Sequence, residues 1–336
     1  MRRMQALEDA VDSIAEQTGF SGVVRVDHSG GIDFAKAYGL AHRGHEIPNT
    51  IGTQFAIASG TKGLTALTVV SLIEEGLLHL ETTARSVLGG ELPLIDDGVT
   101  IEHLLAHRSG IGDYFDEEQH DVTDYVMPVS VHELATAEQY LAVLGGHDTA
   151  FPPGERFAYC NGGYVVLALI AERTSGTPFD ELVRRRVCEP AGMSDTEFLR
   201  SDELPGRAAT GYLAVTGSRS NVFHLPVRGS GDGGIYTTVA DVSSLWSAFF
   251  TGRIVSMDWA AEMVRPRSDV PDESRRYGLG FWLHASRRLV MLHGSDAGVS
   301  FRSLHDPATT MTHTVISNTT EGAWAVTDLL DEGLAT

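Results

Sequence analysis

Apolar residues first recur at helical intervals. Leu7, Val11 and Ile14 share one face of residues 4–18, which predicts an amphipathic helix that stops near Gly19. The pattern then becomes strand-like: residues 22–27 (GVVRVD), the Gly30-Gly31 pair and the run up to Ala41 predict a β-hairpin. Near the other end, residues 277–284 (YGLGFWLH), 288–294 (RLVMLHG), 299–306 (VSFRSLHD) and 311–318 (MTHTVISN) are short, aromatic or β-branched, and separated by turn residues. Such runs predict an antiparallel sheet. Helical character returns over residues 321–330. Between the two strand-rich ends, residues 62–75, 101–106, 131–144, 163–174 and 239–250 predict helices joined by Gly/Pro-rich loops.

Strands at both ends with helices between them predict an α+β fold in which the terminal segments make one antiparallel sheet flanked by helices. The sheet part takes in about residues 1–80 and 232–336, and a mostly helical subdomain covers about residues 81–231 of a single domain over residues 1–336. The cleft between the two parts is the default site.

Composition narrows the function classes. The formal net charge of −20 disfavours nucleic acid and anionic membrane surfaces as partners. The two cysteines, Cys160 and Cys188, leave no room for a disulfide framework. Acidic residues interrupt the N-terminal segment, so it has no apolar signal-peptide core, and no run is long enough to span a bilayer. These features predict a soluble, cytoplasmic chain.

Among the 25 Lys and Arg residues only Lys36 and Lys62 are lysine. A guanidinium keeps its proton in a protein, whereas a buried lysine can lose it and act as a base. Lys62 lies in IASGTKGLTALTVVSLIEEG, three positions after Ser59, in a helix with no further charge until Glu74. The spacing puts hydroxyl and amine on one helical face. Burial and the positive end of the helix dipole both disfavour the ammonium, which suits Lys62 to activating Ser59 as a nucleophile. Gly60 and Gly63 leave room for another segment to approach.

A second group, Tyr159-Cys160-Asn161, sits on a turn leading into a hydrophobic helix. Tyr159 there can relay protons between Ser59 and a leaving group, and Asn161 can bond a substrate amide or fix the lysine. The alternative is a tyrosine packed over a helix end that Asn161 caps. A third group, His293-Gly294-Ser295, ends a strand before Asp296-Ala297-Gly298. A backbone N–H from this strand, with that of Ser59, can form an oxyanion hole. Whether Ser295 or Asp296 supplies it is open at this level. The pair His103 and His107 has no matching ligand set and reads as structural, and Cys160 reads as packing. No metal site and no cofactor motif is found.

In chain order, S-x-x-K, Y-x-N and H-x-(small) resemble the three-motif signature of the β-lactamase and penicillin-binding protein superfamily, especially its class C branch with related esterases, D-aminopeptidases and D-Ala-D-Ala carboxypeptidases. Segments 103–114, 151–176, 188–198, 231–242 and 277–283 are similar to that family as well. The resemblance implies a β-lactamase/transpeptidase-like fold and acylation of Ser59. It implies base and acid roles shared by Lys62 and Tyr159, a substrate-orienting Asn161, and His293 in place of a lysine that would hold a substrate carboxylate. The expected function is a cofactor-free serine hydrolase acting on a small ester, amide or short peptide, as an esterase or D-stereospecific amidase or peptidase. A β-lactamase or penicillin-binding carboxypeptidase is the second reading, and a catalytically silent ligand-binding homologue the third. Residues 112–130 and 199–230 are the expected pocket loops.

Overall fold

The computed structural model describes residues 2–28, 30–115 and 121–334, so the expected pocket loop 112–130 falls partly outside the described residues. Eight strands make one antiparallel sheet: β1 (Gly22–His28), β2 (Gly31–Tyr38), β3 (Ser268–Val270), β4 (Arg275–Tyr277), β5 (Trp282–His284), β6 (Val290–Asp296), β7 (Val299–Asp306) and β8 (Met311–Ser317). Their spatial order is β2-β1-β8-β7-β6-β5-β4-β3, so the two ends of the chain meet at the β1–β8 pairing, with Val24 opposite Val315. The predicted α+β plan is the observed one.

Side-chain alternation along these strands builds two cores, because successive residues face opposite sides of a sheet. Val24, Val26 and Val315 face the terminal helices α1 (Arg2–Thr18) and α5 (Trp324–Leu334), whose Val11, Ala15, Val326 and Leu330 cover them. Val23, Leu292, Phe301 and Ile316 face the main core. On that side lie α2 (Thr61–Glu74), α3 (Asn161–Ser175) and α4 (Val239–Phe250), and Trp246 Nε1 of α4 donates to Ser303 Oγ at 2.8 Å. Every residue of α2 from Thr61 to Ile73 is buried. Its polar side chains are satisfied locally or by the site, as where Thr68 donates to the Leu64 carbonyl.

Two predicted elements differ. Residues 277–284 are not one strand: Gly280 adopts φ +87° and Gly278 N–H donates to the Phe281 carbonyl at 2.9 Å, so a turn separates β4 from β5. Residues 131–144 do not form one helix. They break into 3-10 turns at Val131–Glu133 and Ala137–Tyr140 before a short helix Leu141–Leu144, because Thr136 is extended and its hydroxyl caps the Gln139 N–H. The apolar spacing is still used: Leu134, Tyr140 and Val143 are buried together with Val165.

Leu67 lies at the centre of α2 with no exposed surface. Leu67→Ala is expected to lower the unfolding free energy by about 2–5 kcal/mol, read from denaturant midpoints. A loss under about 1 kcal/mol would contradict the packing described.

Candidate active site

Ser59 is the one residue between Thr53 and Ile73 that is not buried. It lies in a 3-10 turn, Ala58–Gly60, that runs straight into α2. The preceding Ala58 is held at φ +44°, a left-handed conformation that non-glycine residues adopt at a cost of about 1 kcal/mol or more. The turn is fixed by Thr61 Oγ1, which bonds the Ala58 carbonyl at 2.7 Å, and by Ile57 N–H, which donates to Ile235.

Lys62 Nζ lies 2.9 Å from Ser59 Oγ, 2.8 Å from Asn161 Oδ1 and 2.7 Å from the Asp232 carbonyl oxygen. An ammonium satisfies all three with its three protons. A neutral amine gives two N–H bonds to Asn161 and Asp232 and aims its lone pair at the Ser59 hydroxyl, the arrangement a general base needs. Tyr159 packs over the same group, with Nζ 4.8 Å from its ring centre. Its ring lies between His107, at 4.2 Å between centroids, and Trp282, at 6.0 Å.

Asn161 does not cap α3. Cys160 holds the cap position, and the first N–H groups of α3 are bound by the Asp113 carboxylate, at 2.6 Å from Asn161 N and 2.8 Å from Gly162 N. That frees the Asn161 side chain for Lys62, and its Nδ2 donates to the Phe115 carbonyl at 3.2 Å. Burial pushes the Asp113 carboxyl up to about 6, against the pull of the Gly162 and Asn161 N–H groups.

The third sequence motif is corrected by strand geometry. A Cβ at Gly294 would overlap the Ile57 carbonyl oxygen and come within 3.0 Å of Ser59 N, so position 294 faces the nucleophile and tolerates no side chain. By alternation Leu292 and Asp296 share that face, with Leu292 against Gly63, while His293 and Ser295 face the opposite side. His293 accordingly stacks on Trp324 of α5, 4.9 Å between centroids. Burial there, with Arg275 and Arg302 nearby, pushes its imidazole down to about 3, so it is neutral and outside the site. The expected His293 contact with substrate is therefore not present, and this strand offers no cation to a substrate carboxylate.

The same alternation separates the two candidate amides. His284 N–H donates to the Leu289 carbonyl, and β5 pairs β6 only as far as Met291. The N–H groups of residues 293 and 295 thus point past the end of β5 to an open edge, whereas Asp296, paired with Val299, turns its N–H toward β7. Of the two, Ser295 N–H is the amide left facing the open edge, while the Asp296 side chain lines the pocket beside the Ser59 turn.

Four residues with no site role assigned from sequence belong to this cluster. Asp113 holds Asn161, and Asp232 accepts from Lys62 through its carbonyl and from the Tyr114 hydroxyl through its carboxylate. His107 lies against Tyr159. Their sequence signals were membership of the segments 103–114 and 231–242 and, for Asp113 and Tyr114, of the expected pocket loop 112–130. Beside the Ser59 turn, an open pocket is lined by Ala58, Tyr114, Tyr140, Asp232, Tyr236 and Asp296 among others, with no Lys or Arg in its lining. Among the described residues no His/Cys/Asp/Glu group could hold a metal, and no helix is long and apolar enough to cross a membrane.

Because the Asp113 carboxyl is raised, the folded chain holds that proton more tightly than the unfolded one, and its contribution to stability falls as pH rises from about 4 to about 6. Activity should move the other way. Protonation removes an acceptor from the α3 N-terminus, so the acylation rate is expected to fall below a midpoint near pH 6. Asp113→Asn should be slower throughout and lack that limb in a pH–rate profile; an unchanged acid limb in the variant would refute the assignment.

The Beta-lactamase family model matches residues 7–334. The chain is 26% identical over 279 residues to the putative penicillin-binding protein PbpX of Bacillus subtilis, an alignment covering 81% of this chain and 64% of that protein, so it spans under two thirds of that relative. It is 28% identical to esterase EstB of Burkholderia gladioli, over 83% of this chain and 78% of EstB. The solved penicillin binding protein from Bacillus halodurans superposes with a TM-score of 0.90 at 33% identity, covering 96% of this chain and 99% of that one. Motifs, fold and site thus agree with a match over nearly the whole chain, and the chain belongs to the beta-lactamase family.

Proposed function

We propose that this protein is a serine hydrolase that forms an acyl-enzyme on Ser59 and hydrolyses an ester or amide. The observation that carries the reading is the triple coordination of Lys62 Nζ by Ser59 Oγ, Asn161 Oδ1 and the Asp232 carbonyl. Lys62, as the neutral amine, takes the Ser59 proton while Oγ bonds to the substrate carbonyl carbon. The resulting oxyanion lies between the N–H groups of Ser59 and Ser295. Tyr159, packed over Lys62, shares the proton traffic and returns a proton to the departing alcohol or amine. Water then attacks the acyl-serine, with the same groups acting in reverse. No metal or cofactor enters these steps.

The charge of the pocket supports one substrate class over another. Asp232 and Asp296 line it, no Arg or Lys does, and His293 stacks on Trp324 on the far side of its strand. Lys62 is engaged with Ser59, Asn161 and Asp232. A carboxylate on the substrate, as in a penicillin or a peptide C-terminus, meets like charge with no dedicated counter-ion. Neutral or ammonium-bearing esters and amides meet no such penalty, which supports an esterase or amidase over a penicillin-directed enzyme.

Intact-protein mass after exposure to a fluorophosphonate should show one adduct in the wild type and none in Ser59→Ala. In a matched series of activated esters, a carboxylate on the acyl group should lower kcat/KM about tenfold or more relative to a neutral group, and an ammonium should not. No adduct and no turnover from folded protein would replace this reading with a silent binding protein. Preference for the carboxylate ester would overturn the substrate class alone.

A further inference from the structure

His107 is 1% exposed and follows the short helix Ile101–Leu105. Its backbone is left-handed, with φ +53°, a conformation that glycine or asparagine takes more readily. From that position it grips both neighbours of Tyr159. Its carbonyl accepts the Ala158 N–H at 2.9 Å, and its Nδ1 accepts the Cys160 N–H at 3.1 Å. The imidazole plane then lies along the Tyr159 ring, 4.2 Å between centroids and 33° apart. Phe157, Tyr164 and Tyr277 close the rest of the box around it.

The bond from Cys160 fixes the tautomer. Nδ1 accepts, so the ring proton is on Nε2 and the imidazole is neutral. A protonated ring would turn the acceptor into a donor facing an N–H. Burial, with the Lys62 charge nearby, disfavours that protonation. Cys160 is also the last residue before α3, so the same bond sets the start of the helix from which Asn161 reaches Lys62.

We infer that His107 is a positioning residue: through the bonds of its carbonyl and Nδ1 to the Ala158 and Cys160 N–H groups, and the stack of its ring, it holds Tyr159 over Lys62 for proton transfer. This rests on the reading of Tyr159 given above. Packing alone would be met by any flat apolar side chain in the box. The inference requires an acceptor at the Nδ1 position, which asparagine Oδ1 can supply and phenylalanine cannot. Asparagine also suits the left-handed backbone.

The test measures the single-turnover acylation rate and KM with an activated ester for wild type, His107→Asn, His107→Phe, Tyr159→Phe and the double variant His107→Phe/Tyr159→Phe, with thermal unfolding as a check on folding. His107→Phe is expected to acylate about 10- to 100-fold more slowly with KM within about threefold, and His107→Asn to stay within about fivefold of wild type. If His107 acts through Tyr159, the double variant should be no slower than Tyr159→Phe. Wild-type rates in folded His107→Phe, or independent, multiplying losses in the double variant, would overturn the inference. Should His107→Phe not fold, His107→Asn decides: a folded Asn variant as slow as Tyr159→Phe overturns it, and one near wild type supports it. A Tyr159→Phe variant at the wild-type rate would instead sink the reading of Tyr159 on which the inference stands.

Discussion

The structure turns on one nitrogen. Lys62 Nζ is held by oxygens from three distant parts of the chain: Ser59 at the entrance of its own helix, Asn161 at the start of α3, and the Asp232 carbonyl on the loop before residues 236–237. Placing a lysine amine in a buried helix costs several kcal/mol unless each of its hydrogens finds a partner. Every neighbouring element contributes to meeting that requirement. The short pairing of Phe55–Ala56 with Tyr236–Thr237 brings the Asp232 loop alongside, and Thr65 ties it down by donating to the Gly231 carbonyl at 2.7 Å. The bare Gly294 lets β6 lie against the Ser59 turn. The chain uses arginine nearly everywhere else, yet a guanidinium could not release a proton in this three-oxygen site.

Around that amine the charges are negative and deliberately partnered. Asp113 neutralises the positive end of α3, and the Asp232 carboxylate accepts from Tyr114, with its own acidity weakened by burial. The segment 107–114 thus meets the surroundings of Lys62 at three points: His107 stacks on Tyr159, Asp113 binds the Asn161 N–H, and Tyr114 donates to the Asp232 carboxylate. One loop acting on three groups explains why a site assembled from distant segments can be rigid.

Much of this was legible in the sequence because it is local. Ser59 and Lys62 share a helix turn, Tyr159 and Asn161 flank a helix start, and a charge-free α2 had to be buried. The family resemblance then joined the three motifs into one expectation. What was not legible depends on pairing. Whether His293 or Gly294 faces the nucleophile is decided by where β6 sits on β5 and β7, and a shift of one residue inverts every side chain. Residues 131–144 carry a helical pattern that Thr136 interrupts by its own cap, a local competitor to the helix. Asp232 meets Lys62 through its backbone carbonyl, a group every residue type has, and His107 meets Tyr159 across a long stretch of chain, so composition could not mark them.

The most direct test of the central claim is the second-order rate constant for phosphonylation of Ser59 in wild type and in Lys62→Arg, each shown to be folded. Arginine keeps a positive charge beside the serine but cannot serve as a base at neutral pH. The account predicts a loss of about a hundredfold or more, within the range general-base catalysis supplies. A Lys62→Arg protein that reacts within about threefold of wild type would contradict it.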